Sequence, residues 1–185
     1  MESNEKRRRF EALMMGHLDA AYNLARWLTG NREDAQDAVQ EAYLRAYRYF
    51  GGFDAALGRP WLLAIVRNAC FSLIEQRRIA GGHDSFDEGL HCGGALASAE
   101  LERAMPGPEQ AAVARSENAR LERAIAALPP EFREVLVLRE LEGLSYKDIA
   151  HVADIPMGTV MSRLSRARQM LSTTLAPNLR KVKSA

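Results

Sequence analysis

Apolar residues recur with a helical period through two long stretches of the chain, from Phe10 to about Arg78 and from about Glu109 to Leu175. Signals for strands are nearly absent, because alternating apolar and polar residues and clusters of β-branched residues are few. No internal repeat is visible. The sequence therefore predicts an all-α protein with two helical regions.

The segment between the two helical stretches has the composition of a linker, rich in glycine and acidic. Its acids are Asp84, Asp87, Glu88, Glu100 and Glu102, against the single arginine Arg103. This acidity is typical of a solvated segment, although an acidic stretch can also imitate nucleic acid or avoid non-specific DNA. We expect two small helical domains, in residues 1–80 and 110–185, joined by a flexible acidic linker in residues 81–109.

Composition narrows the class of protein. A hydrophobic content of 47% excludes wholesale disorder, and a net charge of +1 makes each cationic segment a local feature. The longest apolar run, "WLLAIV", is far too short to cross a bilayer, and the charged N-terminus leads into no apolar signal core. Cys70 and Cys92 indicate no disulfide framework. We expect a cytoplasmic protein without membrane insertion, with Cys70 as a small core residue.

The residues that carry most enzyme chemistry are scattered. His17, His83, His91 and His151 form no set with serine and aspartate, and neither a phosphate-binding glycine loop nor a paired-carboxylate motif stands out. A zinc or redox site at His83, His91 and Cys92 is disfavoured, because their spacing matches no common zinc pattern. The sequence predicts a protein that is not an enzyme and holds no cofactor and no metal.

Local signals divide the second half of the chain into several helices. Pro129 and Pro130 suit the first turn of a helix, where a missing N–H group costs nothing. Ser145 precedes Asp148 by three positions, which is the spacing of an N-terminal capping box. After a break at Asp154, Pro156 opens the last helix. A short helix, a tight turn and a longer helix predict a helix-turn-helix.

The last helix separates an apolar face from a cationic face. The apolar face is Val160, Leu164, Ala167 and Leu171. The 31 residues after Asp154 contain six lysines or arginines and no acid, which favours a polyanion as partner. We predict that the helix enters the major groove of duplex DNA, with N–H groups at its start facing phosphate and side chains further along reaching base edges. The predicted contacts are Met157, Gly158, Thr159, Ser162, Arg163, Arg166 and Arg168. The alternative is a basic, solvated helix of a plain bundle.

The first half of the chain contains two amphipathic helices and a glycine loop. The stretch from Asp34 to Phe50, "DAQDAVQEAYLRAYRYF", carries charges of both signs, including Glu41 and Arg45 at i, i+4, which suit solvent or the helices of a partner. Gly51 and Gly52 precede a helix that begins at "RPW". Aromatic residues and cations beside a glycine loop suit unstacked single-stranded bases. The alternative is that the aromatic residues Phe50, Phe53 and Trp61 belong to the core.

These blocks, in this order, resemble the extracytoplasmic-function (ECF) group of bacterial sigma factors. The resemblance rests on "DAQDAVQEAYLRAYR", "WLLAIVRN" and "LPPEFREVLVLRELEGLSYKDIAHVADIPMGTVMSRLSRAR". It implies a non-catalytic protein that lends promoter recognition and strand opening to core RNA polymerase. It further implies binding to the β and β′ subunits, promoter DNA as a partner, a role in stress response, control by an anti-sigma factor, and a linker that runs toward the RNA exit path.

The resemblance also implies roles for individual residues. The helix from Asp34 would dock on the polymerase through Asp37, Gln40, Glu41 and Arg45. The glycine loop and the helix after it would hold the displaced strand of the −10 element through Phe53, Trp61, Arg67, Asn68, Arg77 and Arg78. The last helix would read the −35 element as duplex.

Two positions depart from the pattern of many relatives. Met161 stands where many carry arginine, and Ser72 stands where many carry aspartate. Two other functions stay open at this point: a helix-turn-helix regulator that acts without polymerase, and a sigma-like decoy that sequesters a regulatory protein.

Overall fold

A computed structural model of the chain describes the backbone of residues 2–52, 58–80 and 108–182. The described residues contain helices and no strand, which confirms the all-α prediction. The α-helices are α1 (Glu2–Met14), α2 (Leu18–Thr29), α3 (Arg32–Tyr49), α4 (Gly58–Ile79), α5 (Pro108–Ala126), α6 (Pro130–Leu136), α7 (Tyr146–Ala153) and α8 (Met157–Val182). Short 3-10 turns at Met15–His17 and Phe50–Gly52 and a π-helical turn at Val137–Leu141 complete them.

Helices α2, α3 and α4 form the N-terminal bundle, because each packs against the other two. The buried face of α3 consists largely of alanine, which lets its neighbours approach closely. These residues are Ala35, Ala38, Val39, Ala42 and Ala46. Helix α3 begins two residues before the predicted start, because the Asn31 side chain accepts a hydrogen bond from the Asp34 N–H at 2.8 Å and caps the helix there.

Helix α1 is fixed to this bundle by an aromatic cluster. The ring of Phe10 meets Tyr43, Tyr47 and Phe50 edge to face, with ring centroids 5.2–6.2 Å apart. Phe50 is 6% exposed and lies in the core, so the alternative reading of this residue is confirmed. Cys70 is also buried, as predicted, and burial raises the pKa of its thiol to about 12.

The C-terminal region follows the predicted divisions. Pro130 occupies the first turn of α6, and the side chain of Ser145 accepts a hydrogen bond from the Asp148 N–H at 3.1 Å at the start of α7. Asp154 adopts a left-handed conformation with φ of 52°, which ends α7 and turns the chain into α8. Val160, Leu164 and Ala167 are buried, and Leu171 is partly buried. The apolar face of α8 therefore lies where the sequence predicts it.

The two helical regions pack against each other through a continuous core. Helix α4 of the first region lies against α7 of the second, and α2 lies against α6. The guanidinium of Arg133 in α6 donates to the carbonyl oxygen of Trp27 at 2.9 Å and to that of Leu128 at 3.0 Å. The sequence did not predict this contact. The linker prediction for residues 81–109 lies almost wholly outside the described residues.

None of the helices in residues 2–52, 58–80 and 108–182 has both the length and the hydropathy that crossing a bilayer requires.

Candidate polymerase and nucleic-acid interfaces

The outer face of α3 gathers the four residues predicted to bind polymerase. Asp37, Gln40 and Glu41 are exposed, and Arg45 is half-buried. The predicted pair is present, since the Nε of Arg45 lies 2.7 Å from the Oε1 of Glu41. The opposite face of the helix is buried against α2 and α4, so these four side chains are held in one orientation. This face can offer a partner both charges and amide hydrogen-bonding groups.

A shallow apolar cleft of about 420 Å³ adjoins this face. Gln40 forms part of its wall, together with side chains of α2. Its lining residues are Leu18, Asp19, Tyr22, Gln36, Val39, Gln40 and Tyr43. The cleft adds apolar surface to the polar contacts that α3 presents.

The residues predicted to hold the −10 strand are only partly together. Arg67 and Asn68 are neighbours on α4, and the Nη1 of Arg67 donates to the Oδ1 of Asn68 at 3.3 Å. The guanidinium carbon of Arg67 also lies 4.8 Å from the ring centre of Phe71. Trp61 is half-buried and packs against the core, which partly fulfils the alternative reading of this residue. The prediction for Phe53 lies outside the described residues.

The two arginines at the end of α4 form ion pairs within the N-terminal region. Arg77 pairs with Asp34, whose side chain is almost fully buried at the start of α3. Arg78 pairs with Glu75 one turn earlier, with 2.9 Å between Nη2 and Oε1, and this hydrogen bond raises the pKa of the exposed guanidinium. Arg77 therefore joins α4 to α3 as well as offering a charge near the surface.

Glu134 of α6 faces the predicted −10 surface and is the most important site residue that the sequence did not reveal. Its side chain is 1% exposed and pairs with Arg67, which is 20% exposed. The charge of Arg163, on α8, also acts on this carboxylate. One buried acid is thus shared by an arginine predicted to hold the −10 strand and an arginine predicted to read the −35 element.

A second pair crosses the same contact. Arg59, near the start of α4, donates to the backbone carbonyl oxygen of Glu142 at 2.9 Å and also pairs with its side chain. In the sequence, Glu134 and Glu142 are acids beside an apolar stripe. A solvated acid gives the same pattern, so the sequence does not indicate that these two are buried and paired. Their partners lie 67 and 83 residues away, so helical periodicity could not identify them.

The start of α8 presents the residues predicted to contact duplex DNA. Met157, Gly158, Ser162, Arg166 and Arg168 are exposed, whereas Thr159 and Arg163 are half-buried. The buried face of the helix holds this surface outward from α6 and α7. The arrangement of α7, the turn and α8 is that of a helix-turn-helix, in which the second helix is presented to a groove.

Two of these residues already have partners within the chain. The backbone N–H of Thr159 donates to the carbonyl oxygen of Pro156 at 2.8 Å, in the first turn of α8. Arg168 pairs with Glu140, with 2.6 Å between Nη2 and Oε1, and so links α8 to the π-helical turn at Val137–Leu141.

The part of the chain that the structure describes contains no group of three or more histidine, cysteine, aspartate or glutamate side chains that could hold a metal ion. His83, His91 and Cys92 lie outside that part.

Both helical regions match models of known protein families. Residues 13–79 match the family model described as Sigma-70 region 2, and residues 118–171 match Sigma-70, region 4. The chain is 36% identical over 183 residues to the RNA polymerase sigma-H factor of Pseudomonas aeruginosa, with 94% of this chain and 90% of that protein covered. It is 32% identical over 170 residues to the ECF RNA polymerase sigma factor SigE of Mycolicibacterium smegmatis, with 90% of this chain and 62% of that protein covered.

A solved structure shares the fold. The sigma factor RpoE of Bartonella quintana, in a complex with the anti-sigma factor NepR, superposes with a TM-score of 0.69 and 24% identity. The superposition covers 91% of this chain and 98% of that one. The packing of helices in this chain is therefore similar to that of a known sigma factor.

The buried acids at the contact between the two regions have shifted ionisation. Burial raises the pKa of Glu134, although Arg67 and Arg163 act in the opposite direction. Burial also raises the pKa of Glu142, against the charge of Arg59. In both carboxyls the cost of removing the charge from water outweighs the attraction of the arginine. Apolar packing, rather than these pairs, must supply most of the stability of the contact.

We predict that the contact between the regions loses stability as pH rises from about 4.5, the ordinary value for these carboxyls. A pKa that is higher in the folded state means that the folded chain binds more protons above that pH, so the free energy of unfolding falls as pH increases. A double variant, Glu134→Gln with Glu142→Gln, removes both titrations. Chemical unfolding of both chains at pH 5 and pH 7 should show a steeper loss in the parent chain. An equal slope, or a steeper one in the variant, would contradict the predicted direction.

Proposed function

The chain belongs to the extracytoplasmic-function (ECF) group of the sigma-70 family, whose members are transcription initiation factors, and we propose a function from this premise. We propose that the chain binds core RNA polymerase and directs promoter recognition and strand opening. The observation that carries the proposal is the presence of two outward faces on one chain. The face of α3 suits a protein partner, and the cationic face of α8 suits duplex DNA. A factor of this kind acts in the cytoplasm, where the polymerase is.

The polymerase contact is assigned to the exposed face of α3. Asp37, Gln40 and Glu41 supply two carboxylates and an amide, and Arg45 adds a cation that is already oriented by Glu41. Mixed charges on a rigid helix favour docking on helices of complementary charge. We assign the partner surface to the largest subunits of the polymerase, β and β′.

The promoter contacts are assigned to α4 and α8. Helix α8 would bind the −35 element as duplex through Ser162, Arg163 and Arg166. Helix α4 would hold the displaced −10 strand through Arg67 and Asn68, and the aromatic residues Phe53 and Trp61 would contribute to the same site. Holding a base outside the stack recovers part of the few kcal/mol that unstacking costs. Two DNA contacts on separate regions let one anchor the promoter while the other captures the opened strand.

In the structure the two regions are held together by the packing of α4 on α7 and of α2 on α6, which we call the closed contact. This contact limits when α4 can bind the −10 strand. While Arg67 pairs with Glu134, its guanidinium is not available to a phosphate. We therefore propose that the two regions separate when the chain binds polymerase, with the segment of residues 81–109 as the tether. The family matches at residues 13–79 and 118–171 support domains within residues 1–80 and 110–185.

An anti-sigma factor is the proposed regulator. The Bartonella quintana sigma factor, which shares this fold, was solved with its anti-sigma factor bound. A partner that favours the closed contact would keep Arg67 paired and so withhold the −10 surface from DNA. The signal that releases such a partner would set the stress response in which the chain acts.

Reconstituted transcription tests the proposal. We predict that core polymerase without any other sigma factor produces transcripts with defined start sites from genomic fragments only when this chain is added. The start sites are mapped from the run-off products. Binding to duplex DNA with no effect on initiation would favour a polymerase-independent regulator, and the absence of both DNA binding and initiation would favour a decoy. Either outcome would overturn the sigma-factor proposal.

The −35 assignment is tested by Arg166→Ala. Arg166 is exposed on the face of α8 that we assign to base edges, so we predict that promoter duplex binding weakens by about 10- to 100-fold. Polymerase association should not change, because α3 is untouched. The matched control is Arg123→Ala, which removes an exposed arginine of the same region from α5. Equal losses in the two variants would mean that only net charge matters.

The closed contact is tested by Glu134→Lys. A lysine beside Arg67 and Arg163 replaces attraction with repulsion, so the regions should separate in the free chain and single-stranded −10 DNA should bind roughly tenfold more tightly. The control is Glu131→Lys, which makes the same charge change at an exposed position of α6. Fluorescence anisotropy with labelled single strands gives the affinities. If both variants gain equally, the effect is one of net charge and the closed contact does not limit binding.

A further inference from the structure

The exposed surface of α8 carries two large apolar side chains near its start. Met157 is 50% exposed and Met161 is 47% exposed. They are four residues apart and therefore lie one above the other on the same side of the helix. Their exposed neighbours, Ser162 and Ser165, are polar. The surface thus combines an apolar patch with hydrogen-bonding groups.

The fold does not need these methionines. The contact of α8 with α6 and α7 is filled by Val160, Leu164 and Ala167, all of which are buried. Single exposed apolar residues are ordinary on a protein surface. A pair one turn apart, on the turns that a helix-turn-helix presents to base edges, is a different case because those positions face the ligand.

The chemistry of methionine narrows what the pair can contact. A thioether has no charge for a phosphate and no strong hydrogen-bond donor for the edge of guanine or adenine. The major groove offers one apolar group on the standard bases, which is the C5-methyl of thymine. An unbranched, polarizable side chain can adapt its shape to a methyl group. Thymine is therefore the base that this patch matches.

We propose that Met161, with Met157 beside it, reads a thymine of the −35 element through its C5-methyl group. This inference rests on the proposed function, because it requires α8 to bind promoter duplex. Arg163 and Arg166 are suited to guanine edges and phosphates. The methionines add a preference that the arginines do not provide, so Met161 is a specificity-determining residue of this chain.

Deoxyuridine, which is thymidine without the C5-methyl group, tests the proposal directly. The full chain is bound to core polymerase, and its affinity is measured for a promoter duplex whose start site has been mapped. Each thymine of the −35 element is replaced by uracil in turn, on each strand. We expect one or two positions to lose about three- to tenfold in affinity, as for the loss of a small apolar contact.

Substitution at Met161 identifies the side chain responsible. In Met161→Ala, the duplexes with thymine and with uracil at the sensitive position should bind with equal affinity. In Met161→Gln, the preferred base at that position should shift toward adenine, which glutamine can bind through two hydrogen bonds. The control is Met170→Ala, which removes a 37% exposed methionine more than two turns further along the same helix. This control should keep the full discrimination between thymine and uracil.

The possible failures are distinguishable. If the duplex binds specifically but no uracil substitution weakens it, or if Met161→Ala keeps the discrimination, this inference is wrong while the proposed function stands. A −35 element that contains no thymine would also show that this inference is wrong while the proposed function stands. If the complex does not prefer promoter duplex over a scrambled duplex, the proposed reading of the −35 element fails and the inference fails with it.

Discussion

The buried carboxylate of Glu134 connects the two halves of the molecule. It pairs with Arg67 of α4 and experiences the charge of Arg163 on α8, so one acid acts on both surfaces assigned to DNA. A buried ion pair adds little net stability, because desolvation offsets the attraction, but it penalises every arrangement that leaves one partner buried alone. Burial raises the pKa of Glu134 against the opposing effect of Arg67, which is the direction that such an offset produces. The charges therefore specify how the halves meet, and the apolar packing of α4 on α7 and of α2 on α6 holds them together.

This arrangement gives the interfaces different accessibility in the closed chain. The face of α3 with Asp37 and Gln40 and the face of α8 with Arg166 are exposed, whereas Arg67 is engaged by the other region. A partner protein could therefore bind α3 before the halves separate. Capture of a single strand by Arg67 would follow separation. Under the proposed function, the closed contact would thus impose a physical order of events, with polymerase first and the melted strand second.

The sequence alone predicted the local structure of the helices but did not predict the contact between the two helical regions. The Ser145 cap and the buried stripe of α8 were found because caps and helical periods involve residues three to seven positions apart. Arg67 was predicted as a DNA contact, but its partner Glu134 was not, because 67 residues separate them and nothing in a one-dimensional pattern joins them. Phe50 illustrates the same limit. An aromatic residue beside a glycine loop fits a base as well as a core, and only the edge-to-face contact with Phe10 decides between them.

Opening the contact changes the charge that each half presents. Arg59 and Arg67 would leave Glu142 and Glu134 behind, so the surface of α4 becomes more positive and the facing surface of the C-terminal region more negative. Arg77 and Arg168 would not change, because their partners Asp34 and Glu140 belong to their own regions. Within the N-terminal region, the positive charge released from these pairs lies at the start and middle of α4, where the proposed function places the displaced strand. An acidic surface opposite would repel that strand, which favours wide separation of the halves once DNA is held.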